Sequence, residues 1–526
     1  MCCSVKECGS AEAIAVLSIG IFVHRARKQA ECAFKETLRQ CFTASLREFL
    51  WRGITVRKAR EVCRVVLSNG QEQSHGSTKI LGKQYKIVMA FIANQLYKLK
   101  LVLAYKDVLR THVPFLFRKT IESSQKRFYE AMHRLKGKEK LDVAFFLTIP
   151  GMWKADYLFS LMAENPRFHP YVVILPYSTF KNFSKEEVWK SIQTTENFVK
   201  ARGFEYVIPY DAKSGRWIDI KKTMHPDIVF YSSPYKDNPP QYYLYNYMDC
   251  GTFYIPYAYT SMCCYKANYD LVFPNLVGCH LTETDMHIGF AKKYGRSNAE
   301  NYWVVGHPAT DIYIRKDYVS PDVWKPQTVR KKRIIWAPHH SLDEEGGLRV
   351  STFLTYCDEM LRIAEKYNDK VQFAFKPHQR LKFKLELIWG KEKTYGYYRK
   401  WEELENCQLE ETGYADLFIH SDAMIHDCGS FTTEYLFLNK PVMYLVSEEK
   451  YTRTQFNEFG IKAFEQHYHG HDTAEIERFV EDVVLGGNDT MRDSRTTFFE
   501  TYLAPKDGLT ASEKIMNLIE NLIEES

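Results

Sequence analysis

The stretch HDCGSFTTEYLFLNKPVMY, residues 426–444, decides the fold of this chain. It follows a short apolar run at 423–425, which predicts the end of one strand. The stretch itself predicts a polar loop, then a helix that ends at a Lys-Pro pair, and then a second buried strand. A loop with Gly429 and Ser430 that opens a helix presents free backbone N–H groups and a hydroxyl, which suits a phosphate group. Glu434 lies about one helical turn after Ser430, so both side chains are expected on one face, holding the diphosphate and the ribose of a nucleotide. The alternative interpretation is an ordinary capped helix in an α/β domain.

Short apolar runs alternate with helical segments on both sides of this stretch. The predicted strands of the first half are 141–148, 171–175, 204–208, 226–231 and 252–255, and those of the second half are 302–305, 333–336, 371–375, 417–420, 423–425 and 442–445. This α/β pattern predicts two Rossmann-like domains that face each other across a cleft, the GT-B arrangement, with the ligand at the carboxyl ends of the strands. We expect an N-terminal acceptor domain at 141–290, a C-terminal nucleotide-donor domain at 291–505 and a final helix at 506–526. That helix has a capping box at Thr510 and Glu513.

Polar side chains follow four predicted strand ends of the second domain. They are His307 and Asp311, then His339 and His340, then Lys376 and His378, then Asp427, Gly429, Ser430 and Glu434. Because the carboxyl ends of parallel strands meet in one crevice, we expect these residues to bind a nucleotide diphosphate. Lys376 and Ser430 would stabilise the phosphates, and His378 would protonate or hydrogen-bond the leaving phosphate oxygen as the catalytic residue.

Several other classes of protein lack support in the sequence. There is no P-loop, kinase motif set or Gly-x-Gly-x-x-Gly fingerprint, which argues against a P-loop NTPase or an NAD enzyme. The 13 cysteines show no zinc-ligand spacing with histidine, so we expect reduced thiols and neither a metal nor a cofactor. No apolar run approaches the roughly 20 residues that span a bilayer.

The first 140 residues differ in composition from the remainder. Residues 1–80 are predicted to be a poorly ordered extension. The alternative is that the start codon was assigned too early and that these residues do not belong to the protein. Residues 81–140 are predicted to form a basic amphipathic helical segment, since 13 basic and four acidic residues lie between Lys86 and Lys140 although the whole chain carries only +6. Such a segment suits an anionic membrane surface, and the alternative is a helix with a solvated basic face. We therefore expect a cytoplasmic protein, peripheral at the inner face of the plasma membrane, with no nucleic-acid partner.

In their order and spacing, these motifs resemble the CDP-glycerol:poly(glycerophosphate) glycerophosphotransferases of teichoic-acid and capsule polymer synthesis. The resemblance covers roughly residues 140–525. It rests on Gly-x-Pro-x-x-Asp at 306–311, a strand ending in Ala-Pro at 336–338, the strand-end His378, and Asp427 to Ser430 followed by a helix and the Lys-Pro strand. It implies a transferase that moves an alditol phosphate, foremost glycerol phosphate, from a CDP-activated donor to a lipid-linked or polymer acceptor.

One family motif is missing from this chain. The family carries Trp-His-Gly at the last strand of the first domain, and its histidine is thought to act as the base, whereas residues 255–260 here read IPYAYT. Tyr257, Tyr259 and Thr260 are the candidates for contact with the acceptor, and plain packing is the alternative. Two other functions therefore stay open: a GT-B glycosyltransferase that uses a nucleotide sugar, and an inactive membrane-associated scaffold that binds nucleotides.

Overall fold

The structure is a computed structural model that describes residues 107–177, 184–211, 213–214, 216–342, 349–411 and 413–525, together with residues 94, 97, 98, 101, 102 and 104. Contacts between Cα atoms separate two units, Met1–Ser123 and Ser124–Ser526. The expected extension at 1–80 lies outside the described residues, as does most of the segment 81–106. Two helices, α1 (Val108–His112) and α2 (Pro114–His133), confirm helical structure in the remainder of the basic segment.

The first large sheet has seven parallel strands in the order β3-β2-β1-β6-β7-β8-β9. The strands in chain order are β1 (Leu141–Leu147), β2 (Phe168–Ile174), β3 (Tyr206–Val207), β6 (Ile228–Tyr231), β7 (Gly251–Tyr254), β8 (Cys279–Thr282) and β9 (Tyr302–Val304). A small antiparallel pair, β4 (Tyr210–Asp211) and β5 (Arg216–Trp217), stands apart from it. Phe145 on β1 stacks on Phe230 of β6, which stacks on Phe253 of β7, with ring centroids 4.6 Å and 5.2 Å apart. These near-continuous apolar strands are buried on both faces, as a parallel sheet requires.

The second sheet has six parallel strands in the order β12-β11-β10-β13-β14-β15. They are β10 (Lys332–Ala337), β11 (Val371–Phe375), β12 (Cys407–Leu409), β13 (Ala423–His426), β14 (Val442–Leu445) and β15 (Tyr468–Gly470). Trp336 on β10 is one of the largest side chains of its core and stacks on Phe353 and Phe375, with ring centroids 5.6 Å and 5.0 Å away. This strand order is that of a Rossmann fold. The predicted pair of Rossmann-like sheets is therefore confirmed.

Helices connect the strands and cover the sheets. In chain order they are α3 (Asp156–Glu164), α4 (Lys185–Lys200), α5 (Ile220–Thr223), α6 (Val272–Leu276), α7 (Asp285–Tyr294), α8 (Asp311–Ile314), α9 (Phe353–Lys366), α10 (Leu381–Trp389), α11 (Lys391–Glu403), α12 (Ala415–Ile419), α13 (Phe431–Glu434), α14 (Glu449–Gln455), α15 (Glu458–Phe464), α16 (Thr473–Arg478), α17 (Arg492–Phe498) and α18 (Ala511–Glu524). Shorter 3₁₀ and π segments include Pro150–Met152, Pro308–Thr310, Tyr435–Leu438 and Phe479–Leu485. Among the described residues, no helix is both long enough and apolar enough to cross a membrane.

Two of the predicted strands need correction. The run 417–420 lies mainly in helix α12, because Leu417 and Phe418 both point into a core and a short apolar run does not distinguish helix from strand. The strand predicted at 302–305 exists as β9, but it belongs to the first sheet, where Tyr302 pairs with His280 of β8. The boundary expected at residue 290 was drawn before this strand, so the first sheet extends beyond it.

The final helix returns to the first sheet. In α18, Ile515, Ile519 and Ile523 are fully buried in the core of that sheet, although they follow the whole second sheet in sequence. The predicted capping box is confirmed, since the Thr510 hydroxyl accepts the Glu513 N–H at 3.2 Å and the Glu513 carboxylate accepts the Thr510 N–H at 2.7 Å.

Candidate active site

The strand order of the second sheet reverses at β10 and β13, and such a switch point opens a crevice at the carboxyl ends of the strands. Strand β10 ends at Ala337, β11 at Phe375 and β13 at His426. Strand β10 lies between β11 and β13 and is parallel to both, so the loops that follow the three strands emerge on one edge. This edge brings together the predicted residues His339, His340, Lys376, His378 and the loop 427–430.

Three of these residues form a compact histidine trio, His339, His340 and His378. Their ring centroids lie 4.3 Å (339 to 340), 4.3 Å (340 to 378) and 4.9 Å (339 to 378) apart. One ring nitrogen from each lies within 4.8 Å of the other two. His339 is buried, while His340 and His378 are half-buried, so the trio faces the crevice.

The hydrogen bonds of the trio favour an anion over a metal ion. The Nδ1 atom of His339 accepts the Ser341 N–H at 3.2 Å, and the Nδ1 atom of His378 accepts the Arg380 N–H at 3.1 Å. A neutral imidazole whose Nδ1 accepts a hydrogen bond carries its proton on Nε2, which then donates and has no lone pair for a metal. The spacing of the trio would allow a metal ion, but two of the three rings present N–H groups instead.

The surroundings of the trio strengthen this conclusion. Burial, together with smaller contributions from neighbouring His340 and Arg380, lowers the pKa of His339 to about 3. Burial also lowers the pKa of His378 well below its ordinary value, with contributions from the other two histidines, Arg380 and Lys376. Lys376 itself is buried, which lowers its pKa to about 8. Neutral N–H donors beside cationic groups suit phosphate oxygens.

The loop 427–430 adds backbone donors and one hydroxyl. Gly429 passes so close to Met262 of the first half that a Cβ at this position would lie 2.5 Å from the methionine sulfur. Helix α13 is shorter than predicted, with four residues followed by a 3₁₀ turn at Tyr435–Leu438, so its dipole is weak. The Ser430 hydroxyl lies 3.5 Å from the buried Cys428 thiol. Any phosphate here would be held by local N–H groups and the hydroxyl more than by a long helix.

Glu434, the predicted ribose contact, is a buried carboxylate. It lies on the turn after Ser430, it is 1% exposed, and its Oε2 atom has no hydrogen-bond partner within the described residues. A buried carboxylate oxygen without a partner is costly in a protein interior. An acceptor of this kind suits a hydroxyl donor supplied by a ligand.

Lys154 is a candidate site residue that the sequence analysis did not identify. It follows β1, at the point where the strand order of the first sheet also reverses, and its Nζ donates to the Tyr414 hydroxyl of the second half at 3.0 Å. Burial lowers the pKa of Lys154, while nearby Glu434 raises it in part. A signal was available, because the turn at Gly151 after the first strand marks a switch-point loop.

Asp427 lies directly after the end of β13, as predicted, and its carboxylate bonds to protein groups. It is fully buried, and its carboxylate accepts the backbone N–H of His339 and both the N–H (2.6 Å) and the hydroxyl (2.8 Å) of Thr352. Burial raises its pKa to about 6. Asp427 therefore holds the His339 loop and the start of α9 in position through both of its carboxylate oxygens, and its predicted contact with the donor stays a prediction.

His307 and Asp311 also face the protein. The Nε2 atom of His307 bonds to the Pro256 carbonyl at 3.0 Å, its Nδ1 accepts the Ala309 N–H at 3.3 Å, and its ring stacks on Tyr259. The Asp311 carboxylate accepts the N–H groups of Ala511 and Ser512 at 2.8 Å and 3.0 Å, which caps α18. Neither side chain contacts the histidine trio through a described hydrogen bond, and the donor-binding role of both stays a prediction.

The three acceptor-side candidates differ in accessibility. Tyr259 is 4% exposed and packs in a core, which agrees with the packing alternative for this residue. The backbone of Thr260 is fixed, since its N–H donates to the Glu283 carboxylate at 2.8 Å and its carbonyl accepts from Asn457 at 2.6 Å. Tyr257 is half-buried with its hydroxyl 3.4 Å from that of Tyr235. Tyr257 is thus the best placed of the three.

Comparison with protein-family models gives a match to the second half of this chain. Residues 282–521 match the family model of CDP-Glycerol:Poly(glycerophosphate) glycerophosphotransferase. Over these residues the predicted family resemblance is confirmed. The matched part of the chain begins at the end of β8 and includes the second sheet and most of α18. It contains every described member of the histidine trio and the loop 427–430. A search of curated proteins gives no match.

Solved structures show a distant overall likeness. The wall teichoic acid polymerase TagF, in a variant form, is 13% identical over 81% of this chain and 98% of that chain, with a TM-score of 0.45. MnaA of S. aureus, solved with UDP, is 15% identical over 73% and 98% of the two chains, with a TM-score of 0.45. A UDP-GlcNAc 2-epimerase from Neisseria meningitidis is 12% identical over 73% and 100%, with a TM-score of 0.42.

Proposed function

We propose that this protein is a glycerophosphotransferase that moves an alditol phosphate, foremost glycerol phosphate, from a CDP-activated donor to a lipid-linked or polymer acceptor in cell-surface polymer synthesis. The observation that carries the proposal is the convergence of the histidine trio, Lys376 and the Ser430 loop at the switch point of the sheet that lies inside the family match. Nucleotide ligands bind at this position in open α/β sheets.

The donor would lie with its diphosphate between the trio and the Ser430 loop. Backbone N–H groups, the Ser430 hydroxyl and the Lys376 ammonium would bind phosphate oxygens, and Glu434 would accept hydrogen bonds from the ribose hydroxyls. His378 would donate its Nε2 proton to the phosphate oxygen of the departing CMP. Each of these roles uses a group whose position or unused hydrogen-bonding atom is described above.

The reaction exchanges a phosphoanhydride bond of the donor for a phosphate ester bond to the acceptor. The acceptor hydroxyl oxygen bonds to the β-phosphorus of the donor, the bond from that phosphorus to the oxygen of CMP breaks, and CMP leaves. The proton of the acceptor hydroxyl needs a base, and the family's Trp-His-Gly histidine is missing here. We assign that role to Lys154, because it reaches the crevice from the first sheet and burial lowers its pKa towards the neutral form.

The proposal also includes the acceptor and the cellular location of the reaction. A lipid-linked primer would bring the acceptor to an anionic membrane surface, which agrees with the expected peripheral location at the inner face of the plasma membrane. Within the described residues, the helix α2 presents Lys119 and Lys126 to solvent, each within 4 Å of a glutamate one turn away. Those ion pairs reduce the positive charge that this helix offers to a membrane.

A transfer assay tests the proposal. Purified protein is incubated with CDP-glycerol labelled in the glycerol and with a lipid-linked glycerol phosphate primer, and both CMP release and label in the lipid are measured. We expect CMP and labelled lipid in equal amounts, and loss of both with Ser430→Ala. Transfer of sugar from UDP-glucose to the primer, with no transfer from CDP-glycerol, would move the protein to the glycosyltransferases. No transfer from either donor would favour the inactive scaffold.

A further inference from the structure

Tyrosine side chains follow three strands of the first sheet, close to the points where those strands end. Tyr177 follows β2, Tyr235 follows β6 and Tyr257 follows β7, and all three are half-buried. The hydroxyls of Tyr235 and Tyr257 lie 3.4 Å apart, and their ring centroids lie 6.2 Å apart. Burial raises the pKa of Tyr257, and Tyr177 is near enough to raise it further. Because β2, β1, β6 and β7 are successive parallel neighbours, the three rings share one edge of the sheet, and we refer to them as the tyrosine cluster.

A buried carboxylate lies beside the tyrosine cluster. Asp237 is on the same loop as Tyr235 and is 1% exposed. After burial itself, the Asp237 carboxylate is among the groups that raise the pKa of Tyr235 and Tyr257. Its Oδ2 atom accepts the Ser233 hydroxyl at 2.6 Å, whereas its Oδ1 atom has no hydrogen-bond partner among the described residues. A buried oxygen without a partner is costly, and a hydroxyl supplied by a ligand would satisfy it.

The charge and shape of this place define the ligand. Burial raises the pKa of Asp237 to about 6, and hydrogen bonds, with no contribution from a cation, oppose that rise. The neighbouring Lys236 is exposed to solvent. A buried carboxylate without a cation repels a phosphodiester but accepts hydrogen bonds from uncharged hydroxyls. Tyrosine rings add flat apolar faces with a hydroxyl at the rim, so the set suits a sugar ring.

The tyrosine cluster is close to the proposed donor site. The segment that carries Tyr257 continues to Ser261, whose hydroxyl lies 2.8 Å from the Thr433 hydroxyl of α13. The next residue, Met262, packs against Gly429. Four residues span at most about 14 Å, so a ligand on the cluster lies near the loop that would hold the donor phosphates.

We propose that the tyrosine cluster and Asp237 bind an uncharged sugar residue at the end of the acceptor, in preference to an end made of glycerol phosphate. The sugar ring packs on the tyrosines, and one of its hydroxyls donates to the Oδ1 atom of Asp237. This inference rests on the proposed function, because it names the acceptor of that reaction. A glycosyl transfer therefore supplies the preferred acceptor, and a glycerol phosphate primer is a weaker one.

Saturation-transfer NMR without a donor tests the site. The full chain is titrated at pH 7.5 with methyl glycosides of glucose, galactose, mannose and N-acetylglucosamine, and with glycerophosphoglycerol, in which a phosphodiester joins two glycerols. We expect at least one glycoside to bind at least ~10-fold more tightly than the phosphodiester. Asp237→Asn should weaken that glycoside by ~10-fold or more, as a lost hydrogen bond to a charged group does, and should not weaken the phosphodiester. Tyr257→Leu should weaken the glycoside as well, and the exposed Asp369→Asn and Tyr129→Leu are the matched controls.

Three results would overturn the proposal. They are a wild type that binds no glycoside better than the phosphodiester, an Asp237→Asn variant that keeps the wild-type preference, and controls that lose as much glycoside binding as the two test variants. Calorimetry with CDP-glycerol separates this proposal from the proposed function. Asp237→Asn should bind CDP-glycerol as the wild type does, which also shows that the variant is folded. Failure of the wild type to bind CDP-glycerol, with glycoside binding intact, would count against the proposed function alone.

Discussion

His378 is the side chain on which the proposed chemistry depends most. Its Nδ1 is occupied by the Arg380 N–H, so its Nε2 proton is fixed as a donor towards the crevice. We expect His378→Ala to lower transfer from CDP-glycerol by ~100-fold or more, since a positioned proton donor contributes about 10²–10⁴-fold. The assay is steady-state release of CMP. His133→Ala, at the exposed end of α2, is the control and should keep full activity. Full activity of His378→Ala would remove this residue from the mechanism.

Substitutions of Lys154 distinguish a group that accepts a proton from a group that only provides positive charge. Arginine keeps the positive charge but does not give up its proton at ordinary pH, whereas methionine loses both. If Lys154 accepts the proton of the acceptor hydroxyl, Lys154→Arg and Lys154→Met should both lower kcat by ~100-fold or more, with the KM for CDP-glycerol little changed. Retained activity in Lys154→Arg alone would mean that the charge matters and that the base is another group.

At the scale of a single element, the cap of α18 is a contact between distant parts of the chain that stabilises this helix. The Asp311 carboxylate binds two N–H groups at the start of that helix, and α18 fills the core of the first sheet. We expect Asp311→Ala to reduce the free energy of unfolding by about 1–2 kcal/mol, the usual cost of a lost cap. Urea unfolding measures it, with exposed Asp369→Ala as the control. Unchanged stability would show that the Thr510 capping box is sufficient.

Local patterns predicted most elements correctly, and long-range pairing explains the errors. Short apolar runs such as 371–375 and 442–445 are strands because they are flanked by turn residues and buried on both faces. The strand at 302–304 was assigned to the wrong sheet, since nothing in its own residues encodes pairing with His280 and its neighbours. The same limit applies to the site. Strand ends predicted His339, His340 and His378, but the contact of Lys154 with Tyr414 joins residues 260 positions apart.

Buried carboxylates show a second limit of sequence reasoning. Asp311 and Asp427 have the residue type and the strand-end position of ligand-binding groups. In the structure both accept backbone N–H groups from distant segments, which satisfies their charge within the protein. The sequence shows an acidic residue at a loop but not which N–H groups surround it. Mutations at these two positions are therefore expected to affect stability before donor binding.

At the scale of the whole molecule, the buried histidines predict that the free energy of unfolding decreases as the pH is lowered. Their pKa values lie below the ordinary 6.5, so between about pH 7 and 4 the unfolded chain binds protons that the folded chain does not, and lowering the pH favours unfolding. The histidines with lowered pKa are His280 (about 4), His339 (about 3), His426 (about 3), His307, His378, His467 and His469.

A smaller group opposes this trend. Burial raises the pKa of three aspartates to about 6, and the folded chain binds their protons first, which stabilises it as the pH falls towards 4. Because the lowered histidines outnumber Asp237, Asp311 and Asp427, we expect the free energy of unfolding to drop by at least ~2 kcal/mol between pH 7.5 and 5. Urea unfolding at the two pH values measures this. A protein equally stable at both would show that the histidines are less buried in solution.

The measurement that tests the central claim most directly is calorimetric titration of the protein with CDP-glycerol, CMP, UDP-glucose and GDP. We propose that the switch point of the second sheet binds a CDP-activated donor through its phosphates and ribose. We expect CDP-glycerol and CMP to bind more tightly than the other two, and Ser430→Ala and Glu434→Ala each to weaken them by about 10-fold or more, as lost hydrogen bonds to charged groups do. Preference for UDP-glucose or GDP, or CDP-glycerol binding that neither variant changes, would contradict it.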